Sequence, residues 1–122
     1  MKLSVLKESF SVCKVASYEG VDLDTPFVFT GATDMEKSLV CPTDRVPDAP
    51  LVREDGWRAF RIEGQLDFSL VGILARISSV LAAEKIGIFA VSTFDTDYIL
   101  VKAENLGRAL AALDRAGYET NG

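Results

Sequence analysis

The chain has 122 residues, 48% of them apolar and 25% charged, a balance that excludes disordered and fibrous classes. At this length about two-thirds of the extended chain's surface can be buried without help from disulfides or metals. Histidine is absent, which removes the usual general base near neutral pH, the Ser/His and Cys/His nucleophile pairs and the commonest metal ligand.

Lys and Arg total 13 against 18 Asp and Glu, for a net charge of -5. A field of that sign repels phosphate backbones and anionic lipid, so neither nucleic acid nor a membrane surface is an expected partner. Met1-Lys2 leads straight into the alternating run Leu3 to Lys7, with no apolar signal-peptide core. The apolar stretch Leu70 to Val91 is interrupted by Arg76, Glu84 and Lys85 and does not read as a membrane span. The expected location is the cytoplasm. Cys13 and Cys41 lack CxxC spacing and sit in strand-like runs, which favours two buried reduced thiols over a redox or metal pair.

In chain order, Leu3 to Lys7, Phe10 to Val15, Phe27 to Gly31 and Lys37 to Cys41 read as short strands bounded by turn residues. Two prolines in Arg45-Val46-Pro47-Asp48-Ala49-Pro50 predict an extended connector, so the division falls between residues 1–55 and 56–122. Trp57 to Glu63 alternates apolar and charged residues as a half-buried strand does. Leu70, Ile73, Leu74, Ile77 and Leu81 then recur at helical spacing and predict a helix over Ser69 to Lys85, stopped by a left-handed Gly87. Gly72 falls inside that helix, where glycine costs about 1 kcal/mol. Close packing of a neighbour, or approach by a ligand or second subunit, would offset it.

Ile88 to Phe94 and Tyr98 to Lys102 read as a hairpin closed by Asp95-Thr96-Asp97. A second helix follows, with Asn105 as N-cap, Leu106, Ala109, Leu110 and Leu113 buried, and Gly117 ending it. The order strand, helix, strand, strand, helix predicts an α+β plait, with the missing edge strand supplied by the first half.

Two clusters carry candidate chemistry. In Ser92 to Tyr98, Asp95, Thr96 and Asp97 either satisfy turn amides or present Asp97 or Asp95 to a cationic group such as an ammonium, with Phe94 as an apolar wall. In Gly64 to Ser69, Asp67 or Ser69 either caps the helix or shares the site with free amides that favour a carboxylate. An anion site and a cation site together match a free amino acid. Arg58 and Arg61, beside Glu63, read most simply as a solvated edge.

The run Trp57 to Gly117 resembles the ACT domain, the small βαββαβ regulatory module of ferredoxin-like fold. Ile88 to Val101 is similar, more closely, to the tandem-ACT group that includes the CASTOR arginine sensors, small bacterial ACT-domain proteins and the regulatory regions of lysine-sensitive aspartate kinases. Phe27 to Thr30 followed by Ser38 to Val40 extends the likeness loosely into the first half. The resemblance implies tandem ACT units, the first degenerate, with a free amino acid bound where two units meet, in a homodimer. One unit would offer backbone groups at Gly87 and Ile88. The facing unit would offer Asp67, Phe68, Ser69 and Leu70 with Thr93, Phe94 and Asp97. No cofactor, no metal and no catalysis is implied, and the function expected is a regulatory or sensor module, with a regulated protein partner. The alternative is a protein interaction module without a small-molecule ligand.

Overall fold

A computed structural model of the chain describes residues 1–63 and 72–121. Its elements are β1 (Lys2–Val15), β2 (Phe29–Ala32), β3 (Lys37–Pro42), β4 (Val52–Ile62), α1 (Ile73–Ala83), β5 (Phe89–Ser92), β6 (Asp97–Lys102), α2 (Leu106–Arg115) and β7 (Glu119–Asn121). Short 3-10 turns follow β3 at Thr43–Arg45 and β6 at Ala103–Asn105. The chain forms two compact units, one of Met1–Lys7 with Arg58–Gly122 and one of Glu8–Trp57, and β1 and β4 each give residues to both.

The larger unit is an α+β plait of ferredoxin-like type. Its strands lie in the order β7-β1-β4-β6-β5, with β5 antiparallel to β6 and β7 parallel to β1. The C-terminal strand judged missing is present as β7, three residues long, and the start of β1 lies beside it. Alternation explains the core. Phe60 and Ile62 of β4 and Ile99 and Val101 of β6 are buried with Ile77 and Leu81 of α1 and Ala109 and Leu113 of α2. Leu106 and Leu110, assigned to the buried face of α2, are half-buried, and Ala112 is buried instead.

The smaller unit has its strands in the order β2-β3-β1-β4. Reading β1 to β4 as the four strands of a plait, the order matches the larger unit's β5-β6-β4-β7 except that there β1 lies between β4 and β7. Neither residues 16–28 nor residues 43–51 form an α-helix. The first unit is thus a plait without helices. Cys13, Val15, Leu39 and Cys41 make its core under Tyr18, Val21, Val28 and Val46. β4 begins at Val52, just past the predicted connector and five residues before the expected Trp57, and β1 is one strand because nothing between Lys7 and Phe10 breaks it.

The two helices end alike on different residues. At α2, Gly117 has φ +100, its N–H donates to Asp114 O at 3.0 Å and the Tyr118 N–H donates to Leu113 O at 3.0 Å. At α1 the same bonds run from Lys85 N–H to Ala82 O (2.9 Å) and Ile86 N–H to Leu81 O (3.0 Å), and Lys85 holds φ 58. Gly87, expected in that left-handed role, lies two residues further on and does not take a positive φ. Gly72 is corrected as well: it precedes α1 with φ +80 and open space at its Cβ position, so it carries neither a helix-interior cost nor a close neighbour. Asn105 occupies the N-cap position of α2 but makes no capping bond, its Oδ1 accepting from Arg108 at 3.4 Å.

A left-handed conformation costs a residue with a Cβ about 1 to 2 kcal/mol, so Lys85→Gly should raise the unfolding free energy by about 1 kcal/mol. Chemical denaturation checks this as a higher midpoint at unchanged slope.

Candidate functional site

The hairpin between β5 and β6 pairs Ser92 with Asp97 and turns through Thr93-Phe94-Asp95-Thr96. Thr93 closes it: its N–H and its Oγ1 both donate to Thr96 O, at 2.9 and 3.0 Å, and its Oγ1 accepts from the Thr96 N–H at 3.5 Å. The Ser92 hydroxyl donates to Asp97 Oδ1 at 2.6 Å, which orients the carboxylate. A carboxylate accepts several hydrogen bonds, so capacity for a cation is left. Phe94, at the tip, is 72% exposed.

The same turn occurs sixty positions earlier. There Thr33 N–H and Oγ1 donate to Glu36 O at 2.8 and 3.3 Å, and Ala32 pairs with Lys37 as Ser92 pairs with Asp97. β2 and β3 repeat as β5 and β6, and the 3-10 turns repeat after them, at that one offset. Position by position the chemistry differs. Lys37 stands where Asp97 does, and Ala32 where Ser92 does, so the pair next to the turn carries a serine-bonded carboxylate in the later hairpin, whereas in the earlier one the Ser38 hydroxyl donates to Glu36 Oε1 at 3.2 Å.

Of the other expected residues, Gly87 is exposed and Ile88 half-buried, packed on the core. They lead into β5, whereas Thr93 and Asp97 lie beyond its far end. Four residues of strand separate the two groups by about 13 Å. Within one unit the structure therefore brings Thr93, Phe94 and Asp97 together and keeps Gly87 and Ile88 apart from them. Asp67, Phe68, Ser69 and Leu70 lie outside the described residues.

Thr96 was legible only as a turn residue. It is 8% exposed, and its Oγ1 donates to Ile62 O at 2.8 Å. Two threonines three apart at a hairpin tip are the signal that marks it. Arg58 and Arg61 are not a solvated edge: Arg58 Nη2 donates to Leu6 O at 3.0 Å, and Arg61 lies over the Tyr98 ring with its Nη1 donating to the Tyr98 hydroxyl at 3.3 Å.

The smaller unit holds a second polar constellation, which periodicity concealed because Ser11 occupies an inward position of β1. Ser11 is fully buried, and its Oγ donates to Asp55 Oδ1 at 2.5 Å, with the Thr43 hydroxyl 3.0 Å away. Arg53 Nε donates to the same Asp55 oxygen at 2.8 Å. The Ser11 hydrogen bond, then that of Arg53, holds the Asp55 carboxyl below its ordinary range. A carboxylate so stabilised is a weak base, and the group ties β1 to β4 rather than activating a nucleophile. Burial pushes the Cys41 thiol up to about 11 and raises that of Cys13. Both stay protonated and unreactive near neutral pH. Among the described residues no cluster of metal-binding side chains occurs. Loops 15–20 and 46–50 of this unit enclose a cleft of about 570 Å³ with Glu19 and Asp48 on its wall, and none of the expected site residues lines it.

A family model described as ACT domain matches residues 52–115. Proteins named cytosolic arginine sensor for mTORC1 subunit 1, from Homo sapiens and Bos taurus, are 42% identical over 60 residues, 48% of this chain. The chain spans 18% of the length of those relatives. The crystal structure of protein Atu0741 from Agrobacterium tumefaciens is 33% identical with a TM-score of 0.86, over 98% of this chain and 91% of that one. The regulatory subunit of aspartate kinase from Thermus thermophilus shares the fold at 11% identity and a TM-score of 0.65, over 94% of this chain and 96% of that one. Among the described residues no helix is long and apolar enough to cross a membrane.

A carboxyl held low in the folded state stabilises the fold above its ordinary pKa, and that stabilisation is lost as pH falls through the lowered value. Ser11→Ala removes the larger cause, so the Asp55 carboxyl should titrate closer to the ordinary value of about 3.9, read by carboxyl-carbon NMR.

Proposed function

Because the chain belongs to the ACT-domain family, whose members are regulatory modules that bind amino acids, we propose that it is a non-catalytic cytoplasmic sensor that holds one free amino acid between ACT units of two identical chains. In this reading the chain carries two ACT units, divided near residue 55 with Met1–Lys7 returning to the second, and the second supplies the ligand contacts. Asp97, oriented by Ser92, takes the ammonium. Phe94 walls the side chain, and Thr93 offers its exposed edge of the turn. The carboxylate is taken by the residues Asp67 to Leu70, and Gly87 and Ile88 of the facing unit supply backbone contacts.

The observation that carries this is the separation along β5. The ammonium at Asp97 and the groups met by Gly87 and Ile88 belong to one small ligand, whereas the hairpin tip and the α1–β5 junction of one unit are about 13 Å apart. A ligand touching both residue groups must therefore take one from each of two units, and a two-fold dimer supplies each pair twice. The curated relatives, named as arginine sensors, support amino-acid sensing as the class. Regulation of a partner protein is the use such a sensor would serve. The absence of histidine and the buried, protonated thiols accord with a module that binds without turnover.

A thermal-shift screen of the twenty amino acids tests the reading. One or a few should stabilise the chain, since a ligand at 100 times its dissociation constant adds about 2.7 kcal/mol and so a rise of several degrees. Asp97→Asn should abolish that rise while leaving the melting point of the unliganded chain nearly unchanged. A flat screen at millimolar concentration would favour the interaction module instead.

A further inference from the structure

Thr96 is buried in a hairpin whose neighbouring tip residues are exposed, and its hydroxyl bonds to a strand 34 positions away. The acceptor, Ile62 O, closes β4. The turn itself does not require this bond. In the earlier hairpin Glu36 stands where Thr96 does, exposed, with its Oε1 accepting from the Ser38 hydroxyl, and the turn forms through the same Thr33 contacts. The tether is thus an addition made in the later hairpin, which carries the Ser92–Asp97 bond.

Its mechanical effect follows from topology. Among the described residues β5 is the last strand of its unit and pairs with β6 alone, so β5 is held along one side. Such an edge can twist about β6 at little cost in backbone bonding. Thr96 directly precedes β6, which neighbours β4, so its bond to the last residue of β4 carries the contact between those strands on into the turn and restrains the tip. In a buried setting the bond is also hard to exchange for water, because Ile62 O would lose its partner.

We propose that Thr96 is a positioning residue: it pins the tip of the β5–β6 hairpin to the end of β4 and so sets where Thr93 and Asp97 meet an amino acid. The proposal rests on the amino-acid reading above for its purpose, and on the hydrogen bond alone for its mechanics. Thr96→Val keeps the shape and deletes the donor. Thr96→Ser keeps the donor and deletes a methyl group.

The test uses the full chain, labelled with nitrogen-15, as wild type and both variants. Backbone order parameters from Thr93 to Asp97 should be about 0.85 in wild type and Thr96→Ser and fall below about 0.6 in Thr96→Val, with Ile99 and Leu100 unchanged. Titrations with L-arginine and L-lysine on the same amides should show binding weakened about tenfold in Thr96→Val and within about threefold of wild type in Thr96→Ser. A tip as rigid in Thr96→Val as in wild type overturns the proposal. So does a loosened tip with undiminished binding. If wild type binds neither amino acid, the failure belongs to the amino-acid reading, and the order parameters still decide the tether. Whether or not Thr96→Val folds, wild type should show a Thr96 hydroxyl proton protected from solvent exchange, and its absence also refutes the tether.

Discussion

Strand β5 is four residues long, and that length controls how the chain can use its polar groups. At one end lie Gly87 and Ile88, released by the Lys85 cap of α1. At the other lie Thr93 and the Ser92–Asp97 pair. A strand is stiff, so the separation cannot be closed by loop motion within the unit. On the proposed reading the site is half a site in each chain, and association would be part of the binding chemistry rather than a separate property of the molecule. A carboxylate oriented by a neighbouring hydroxyl is prepared for a cation before any arrives, which lowers the ordering cost of binding.

The repeat shows which residues set the later hairpin apart from the earlier one. Both turns are built by a threonine whose hydroxyl bridges to the residue three along, and both strand pairs share one register. Turn architecture is thus independent of the residues that differ. Into that common frame the earlier copy places Ala32, Glu36 and Lys37, and the later copy Ser92, Thr96 and Asp97. The earlier unit has also given up both helices and closes its core with loops, holding its strands with the Ser11, Asp55 and Arg53 group.

Much of this was legible in the residues. The alternation from Trp57 to Glu63, the helical spacing from Ile73 to Leu81 and the left-handed Gly117 each follow from a single local rule, and local rules can be read along a chain. The errors occurred where two rules compete. Gly87 is the natural left-handed residue after α1, yet burial of Ile86 against Leu81 fixes the cap two residues earlier and forces Lys85 into a strained conformation. Gly72 looked interior because helix ends blur when apolar spacing continues past them. β7 was missed because three residues carry no periodicity. Ser11 and Thr96 were underread for a shared reason: a hydroxyl's worth depends on an acceptor or donor more than thirty positions away, and nothing local announces it. The hairpin was recognisable as a candidate site through its residue types, and its distance from Gly87 along the chain was readable from the strand pattern of Ile88 to Phe94.

The account stands on a ligand being gripped by two chains at once, and mixing variants tests that directly. Asp97→Asn disables the tip. Gly87→Trp obstructs the junction, and it is compatible with the fold because Gly87 has no positive φ and open space at its Cβ position. Each variant alone should bind no amino acid that stabilises wild type. After subunit exchange in an equal mixture, half the dimers are mixed and each has one intact site, so calorimetry should recover about a quarter of the wild-type sites. No recovery on mixing, or full binding by a monomeric chain, would contradict the account.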